Sequence, residues 1–207
     1  IIDEYVYCDA LGKSGKEPVL VTRYREKERY LGGVLAVANH VHPFCGSVTL
    51  HSYLGENNGH LEYIAKHMGG KADLQFVNKS DSPTIVKRRY IDNYTRSKLL
   101  GVYDINDELL NKDAEALLLS RLERNIESYD LVVAIDYGHG LLTPAVVDFL
   151  TSKARFLAVN TQVNAANIGF HTISKYSTAD FVCIHEGELR HDYRSRTGKP
   201  EELTKAL

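Results

Sequence analysis

From residue 100 onward, short apolar runs alternate with stretches that have the spacing of amphipathic helices. The runs DLVVAID, RFLAVN and ADFVCI are apolar at several consecutive positions, as in strands that are buried on both faces. One helical pattern, over 107–128, precedes the first run, and a second, over 142–154, follows it. Because parallel strands need a crossover connection, usually a helix, this alternation predicts a parallel sheet covered by helices.

The first hundred residues predict a second, smaller sheet. Residues 5–31 are rich in Tyr, Val, Thr and Arg, and within them PVLVTRY and KERYLG indicate two short strands joined by a charged turn. One face of these strands is too polar for the centre of a large sheet, so we expect a separate small sheet. The remaining patterns predict helices over 34–43 and 58–70, strands over 47–54, 72–78 and 83–92, and an N-cap at Thr143 followed by Pro144.

Composition narrows the function classes. The chain has 207 residues, 43% apolar content and a net charge of −2, so no strong field favours nucleic acid or a membrane surface as a partner. No apolar run reaches membrane-spanning length, and three scattered cysteines favour a cytoplasmic location. The opening IIDEY has no starting Met and is typical of the end of a strand, so we interpret the chain as a fragment.

Polar residues or glycines follow five of the predicted strands. Because ligands bind outside the carboxyl ends of the strands in such sheets, these positions predict a site along one edge. Each of them alone fits an ordinary turn equally well. The positions are Asp3, Gly32 with Gly33, Asp136, Asn160, and His185 with Glu188.

The glycine pair stands directly before a predicted helix. A glycine has no Cβ, so another group can approach its backbone closely, and the first amides of a helix have no partner within the helix. Gly32 and Gly33 are therefore expected to let a ligand reach backbone N–H groups, and also to act as a hinge for the small sheet. The alternative is a plain turn.

Several stretches follow one another in the order IIDEYVYCDA, EPVLVTRYREKERYLGGVLAVANHV, SPTIVKRRYI, LVVAIDYGHGLLTP and ADFVCIHEGELR. Together they resemble ribokinase-type (PfkB) carbohydrate kinases, in particular the heptose-7-phosphate kinase domain of bifunctional ADP-heptose synthases. The resemblance implies an α/β fold with a parallel-rich sheet flanked by helices and a small β-sheet lid over about 5–31 and 83–103. It implies that 1–207 form part of such a domain, without its C-terminal nucleotide-binding part.

The resemblance also implies roles in binding a sugar or a sugar phosphate. Asp3 is expected to accept hydrogen bonds from sugar hydroxyls, and Gly32 and Gly33 to let the sugar approach. Lys87 and Arg89 lie two apart on one face of a strand, so they would offer cations to an anionic substrate. The alternative for this pair is a solvated strand face.

Other positions match the family's pattern less closely. The family's sugar-binding Asn is Ala36 here, and Asn39, one turn later, is a candidate replacement. Asp136 is expected at the floor of the substrate cleft. His185 and Glu188 are expected on the nucleotide side, with Glu188 acting through water on Mg²⁺ and phosphates.

The departures support an alternative function. A Lys of the family is His139, its Asp-Pro-Lys is Asn160-Thr161-Gln162, and an Asn is His185. The 207 residues contain neither the family's Gly-Ala-Gly-Asp segment, which carries the catalytic base, nor a P-loop. We therefore expect no catalytic residue and no activity in this fragment alone, whereas the intact parent would use ATP and Mg²⁺.

Three hypotheses follow. The first is the sugar-binding portion of an ATP-dependent carbohydrate kinase that forms a homodimer through the lid, with a fused nucleotidyltransferase domain as one option for the parent protein. The second is a degenerate, non-catalytic sugar-binding or regulatory domain of the same fold. The third, a generic βαβ interaction domain, leaves the strand-end residues unexplained. The two histidines and the cysteine of HVHPFC fit no usual zinc pattern, and neither does the His-Glu of HEGELRH.

Overall fold

A computed structural model describes residues 1–164, 167–168 and 170–205. The chain divides into two compact units, Ile1–Asn106 and Asp107–Leu207. The strands among the described residues are β1 (Ile2–Lys13), β2 (Leu20–Leu31), β3 (Thr49–Leu54), β4 (Asp73–Asn78), β5 (Val86–Asp92), β6 (Lys98–Asp104), β7 (Val132–Asp136), β8 (Leu157–Thr161) and β9 (Phe181–Val182). The helices are α1 (Val34–Val41), α2 (Leu61–Met68), α3 (Lys112–Asn125), α4 (Pro144–Lys153), α5 (Glu186–Asp192) and α6 (Pro200–Thr204).

The first unit contains a four-stranded sheet in the order β2-β1-β5-β6. Strand β1 pairs antiparallel with β2 and parallel with β5, and β5 pairs antiparallel with β6. Successive side chains of a strand point to opposite faces, and along β1 every second residue from Ile2 to Cys8 is buried. We call the face with Glu4 and Val6 the back face and the face with Asp3 and Tyr5 the front face.

Two sequence predictions about this sheet are wrong in detail. Asp3 does not end a strand: β1 continues past it to Lys13, since the Tyr- and Val-rich stretch that follows favours a strand. The charged segment around Arg25 is no turn either, because β2 is one continuous strand. A bulge between Tyr7 and Cys8 accommodates Arg25, whose Nε donates a 2.7 Å hydrogen bond to Asp9.

The apolar core of the first unit lies against one end of this sheet. Ile2 of β1 and Val86 of β5 pack there with side chains from the parallel pair β3-β4 and from the two helices. The predicted helix over 58–70 is shorter, since Gly69, with φ +58°, ends α2 in the left-handed conformation. The other buried members of this core are Leu35, Ala38, Leu50, Leu54, Ile64 and Met68.

The second unit has the predicted parallel arrangement. Strands β7, β8 and β9 form a parallel sheet, and the Thr143 side chain caps α4 by accepting from the Val146 amide. Helix α3 begins at Lys112 rather than 107, because Asn111 accepts a 2.9 Å hydrogen bond from the Ala114 amide and serves as the N-cap. Among the described residues, no helix combines the length and the apolar character that a bilayer crossing requires.

A buried carboxylate connects three strands on the back face of the four-stranded sheet. Glu4 is 2% exposed; Arg88 of β5 donates to it at 2.5 Å and Arg29 of β2 at 2.9 Å, while Lys27 lies at 3.5 Å. Burial alone would raise the pKa of Glu4, but the bonds from Arg88 and Arg29 and the nearby cations outweigh it and hold this pKa at about 2. The charged form of Glu4 therefore stabilises the folded sheet.

We predict a pH-dependent stability difference between the wild-type protein and Glu4→Gln. The folded pKa of about 2 lies below the ordinary 4.5, so the stabilisation is complete above about pH 4.5 and is lost as the pH falls toward 2. At about 1.4 kcal/mol per pKa unit, the full pH-dependent part of the difference amounts to about 3 kcal/mol, of which about 2 kcal/mol is lost between pH 7 and pH 3.

Urea unfolding at pH 7 and pH 3 measures this difference. Glu17→Gln is the matched control, because Glu17 is exposed. A difference between wild type and Glu4→Gln that is equally large at both pH values would contradict the prediction.

Candidate functional site

A row of four side chains crosses the front face of the four-stranded sheet. Asp3 of β1 stands opposite Tyr30 of β2 on one side and Lys87 of β5 on the other, and Lys87 stands opposite Tyr103 of β6. The row thus has a carboxylate and an ammonium group at its centre and an aromatic ring at each end. Tyr30 is 51% exposed and Tyr103 is 44% exposed, so both rings are accessible to a ligand.

The next row brings a second cation to the same place. Arg89 stands opposite Tyr5, and its Nη1 donates a 2.5 Å hydrogen bond to Asp3 Oδ1. The Tyr5 ring and the Tyr103 ring lie 5.5 Å and 5.8 Å from the guanidinium carbon, within cation–π range. Burial alone would lower the pKa of Arg89, but the hydrogen bond and the charge of Asp3 raise it overall. Lys87 and Arg89 therefore lie together on the front face, in agreement with the prediction that both lie on one face of a strand.

The position of Tyr103 depends on a glycine that the sequence analysis missed. Gly101 stands opposite Arg89, and the Tyr103 side chain folds back over it. A Cβ at Gly101 would lie 3.2 Å from the Tyr103 hydroxyl oxygen and 3.3 Å from its ring. The alternating Tyr residues of β1 and the Gly-Val-Tyr of β6 are the signals that could have indicated these aromatic positions.

The two glycines after β2 have different neighbours. A Cβ at Gly32 would overlap the carboxylate of Asp3, so the absence of a side chain makes room for Asp3 itself. Gly33 has φ +55° and ψ −133° at the start of α1, a conformation that favours glycine, and a Cβ there would lie 2.7 Å from Ile1 Cδ1. Gly32 therefore lies beside the front-face row, whereas the space beside Gly33 holds an apolar side chain.

Asn39 is occupied elsewhere in the first unit. Its Oδ1 accepts a 2.6 Å hydrogen bond from Lys71 Nζ, beyond the end of α2, and its side chain is exposed. Its expected role as a replacement sugar ligand stays a prediction.

In the second unit, Asp136 is buried at the end of β7 and lines a cavity of about 430 Å³. Its carboxylate accepts from the Tyr176 hydroxyl at 2.8 Å and from the Gly138 amide at 3.0 Å, forms an ion pair with Lys175, and lies 3.4 Å from His171 Nε2. Burial, together with the charge and hydrogen bond of Asp136, raises the pKa of Tyr176, which keeps its proton as a donor. This network holds the segment after β8 against β7.

His185 and Glu188 begin helix α5. One Glu188 oxygen accepts from the Val163 amide at 2.8 Å and the other from the His185 amide at 2.7 Å, while His185 Nδ1 accepts from the Gly187 amide at 3.0 Å. One carboxylate oxygen thus caps the start of α5, and the other binds the segment that follows β8. Among the described residues, no three His, Cys, Asp or Glu side chains cluster to hold a metal ion directly. The expected action of Glu188 on Mg²⁺ through water stays a prediction.

The front-face site, which we define as Asp3, Tyr30, Lys87, Arg89 and Tyr103, has the chemistry to bind a polyhydroxylated anion. A carboxylate accepts hydrogen bonds from hydroxyl groups, and an arginine fork with a nearby ammonium binds a phosphate. Exposed tyrosine rings pack on the C–H groups of a sugar. Asp136, His185 and Glu188 belong to the second unit, and their expected roles toward substrate and nucleotide stay predictions.

We predict that Gly32→Ala weakens ligand binding at the front-face site by displacing the Asp3 carboxylate from the position in which it accepts from the ligand. Loss of one charge-assisted hydrogen bond corresponds to roughly tenfold in affinity or more. Calorimetric titration of a sugar phosphate measures the change. The matched control is Gly46→Ala, since a Cβ at Gly46 meets no atom within 4 Å. Equal affinities for both variants would contradict the prediction.

Curated proteins resemble this chain along its whole length. The bifunctional protein HldE of Campylobacter jejuni strain RM1221 is 24% identical over 207 residues, which is 100% of this chain and 42% of that protein. The bifunctional protein HldE of Nitratiruptor sp. is 28% identical over 160 residues, which is 74% of this chain and 33% of that protein. The chain thus spans less than half the length of these relatives. No family model matches it.

Solved structures share its fold. Phosphofructokinase-2 from Escherichia coli, in complex with substrates and products, superposes with a TM-score of 0.68 at 14% identity over 99% of this chain and 64% of that one. A carbohydrate kinase from Agrobacterium tumefaciens gives 0.63 at 16% identity, with coverages of 99% and 64%. The chain therefore has the ribokinase-like α/β fold of these sugar kinases, and its resemblance to the kinase portion of the bifunctional HldE proteins, predicted from its motifs, is confirmed.

Proposed function

We propose that this chain is the sugar-binding portion of an ATP-dependent carbohydrate kinase whose acceptor is a heptose phosphate or another sugar phosphate. The front-face site carries the proposal, because Asp3 lies there between an aromatic ring and two cations. The similarity to the bifunctional HldE proteins and the fold shared with phosphofructokinase-2 support the same reaction class. ATP and Mg²⁺ are part of the proposal as the phosphate donor and its cation.

Each group of the site has a role in this proposal. Asp3 accepts hydrogen bonds from the sugar hydroxyls, and Lys87 and Arg89 bind the phosphate that the acceptor already carries. Tyr30 and Tyr103, at the two ends of the row, pack on the carbon backbone of the sugar. No step of phosphoryl transfer is assigned to Glu188, because its oxygens are both used within the chain.

The four-stranded sheet acts as a lid over the sugar in this proposal. It contains the segments 5–31 and 83–103 that the resemblance assigns to a lid, and Gly32 and Gly33 stand where it joins α1. A nucleotidyltransferase domain fused to the kinase is part of the proposal for the parent protein, since the relatives are named as bifunctional and are more than twice as long as the matched part.

A second candidate function is a non-catalytic sugar-binding domain of the same fold. It is favoured by the second unit, where Asp136 and Glu188 are occupied by protein donors and Asn160 Nδ2 donates a 2.6 Å hydrogen bond to the Cys183 carbonyl. Titration of the parent protein with ATP and Mg²⁺ separates the two functions. Nucleotide binding supports the kinase, and sugar binding without nucleotide binding supports the second candidate.

We predict that the protein binds a sugar phosphate and that Lys87→Met weakens this binding by roughly tenfold or more, since one charge-assisted hydrogen bond to phosphate is lost. Calorimetric titration of a panel of heptose and hexose phosphates provides the measurement. Lys66→Met is the matched control, because Lys66 is exposed on α2 of the same unit. Absence of binding for the whole panel, or equal losses in both variants, would overturn the proposed site.

We also predict a homodimer through the lid. Strands β2 and β6 are the outer strands of the four-stranded sheet, so each has an edge that can pair with another chain. Leu100 and Val102 of β6 are 58% and 41% exposed on its back face, which provides apolar area for contact. Sedimentation equilibrium is expected to show a dimer for the wild-type protein and a shift toward monomer for Leu100→Lys. A monomer at all accessible concentrations of the wild-type protein counts against the prediction.

A further inference from the structure

The carboxylate of Asp3 is already occupied in the structure. Arg89 reaches one row across the front face, and its Nη1 donates to Asp3 Oδ1 at 2.5 Å. The other carboxylate oxygen, Oδ2, lies against Gly32, at the place that a Cβ of Gly32 would occupy. A sugar hydroxyl that approaches Asp3 Oδ1 therefore meets a guanidinium group that already donates to that oxygen.

The Arg89 side chain is held in this position from two sides. The Tyr5 ring lies 5.5 Å and the Tyr103 ring 5.8 Å from its guanidinium carbon, and its side chain is 19% exposed. Tyr103 can lie there because Gly101, opposite Arg89, has no side chain. The aromatic contacts keep the guanidinium near Asp3.

A neutral sugar and a sugar phosphate differ in how readily they can displace Arg89 from Asp3. The hydroxyl of a neutral sugar is a weaker donor to a carboxylate than a guanidinium group, so it gains little by displacing Arg89. A phosphate offers Arg89 a bidentate acceptor of higher charge, so the guanidinium can turn to the phosphate while the sugar hydroxyl takes its place on Asp3. Both charged groups of the protein then keep a partner throughout the exchange.

We infer that Arg89 makes the front-face site selective for phosphorylated sugars, by occupying Asp3 until the phosphate of the ligand draws the guanidinium away. This inference rests on the proposed function, in which Asp3 binds the sugar hydroxyls. Arg89 is then a specificity-determining residue with two effects of opposite sign: it favours binding of sugar phosphates and opposes binding of the same sugars without phosphate.

A variant at Lys87 separates the loss of a positive charge from the loss of the Arg89 bond to Asp3. Lys87 has the same charge as Arg89 and stands opposite Asp3, and its Nζ lies 5.8 Å from the centre of the Tyr103 ring. An ammonium group binds phosphate as a point charge and lacks the planar fork of arginine. The hydrogen bond to Asp3 Oδ1 comes from Arg89, so removing the Lys87 charge leaves that bond in place.

The test is calorimetric titration of heptose and hexose phosphates, and of the same sugars without phosphate, into wild type, Arg89→Gln and Lys87→Gln. For Arg89→Gln we expect affinity for sugar phosphates to fall about tenfold or more and affinity for neutral sugars to rise about threefold or more. For Lys87→Gln we expect only the affinity for sugar phosphates to fall. In an Asp3→Asn background, Arg89→Gln is expected to give no gain for neutral sugars.

The outcomes separate this inference from the proposed function. If the wild type binds sugar phosphates and Arg89→Gln leaves neutral-sugar affinity unchanged or lower, the inference is overturned and Arg89 is only a phosphate ligand. If the wild type binds no sugar or sugar phosphate, the proposed function fails and the inference with it. Circular dichroism and thermal unfolding check that each variant folds. If Arg89→Gln does not fold, Arg89→Lys, which keeps the charge but not the fork, is expected to give the same opposite changes in weaker form.

Discussion

The buried carboxylate of Glu4 is the interaction on which the arrangement of the four-stranded sheet depends. Glu4 belongs to β1, which lies between β2 and β5, and its carboxylate accepts from Arg29 of β2 and Arg88 of β5. Both bonds form in the observed register of the three strands. Shifting a strand by one residue would turn its side chains to the opposite face and leave a buried charge without partners. Removing one partner of such a buried pair is strongly destabilising, because it leaves a buried charge uncompensated.

The front-face site follows from that register by the alternation of side chains. Tyr30 and Asp3 are the chain neighbours of Arg29 and Glu4, and Lys87 is the neighbour of Arg88. Once the back-face residues are aligned, these three must form a row on the other face, and Tyr103 completes it from β6. The Glu4 network on the back face thus determines which side chains lie together on the front face.

The sequence allowed part of this to be predicted, and the reasons for the misses are physical. Lys87 and Arg89 could be assigned to one face because a strand has a period of two, and Thr143 could be assigned as an N-cap from local preference. The continuation of β1 past Asp3 depends on pairing with β2, whose partners lie from 25 residues further along at Glu4 to 7 at Lys13, and with β5, whose partners lie 84 residues further along. Tyr103 over Gly101 and the bonds of Asp136 to Tyr176 are likewise long-range or conformational contacts, which local patterns do not contain.

The division of β1 and β5 into two faces has a consequence for how such a sheet can change over evolutionary time. Residues that set strand alignment and residues of the proposed binding site occupy alternate positions of the same strands. Tyr30 and Lys87 can therefore be replaced while the Glu4 network keeps its partners. One stable backbone can present different front faces through single substitutions, and the same separation gives a protein engineer a set of positions to vary without redesigning the fold.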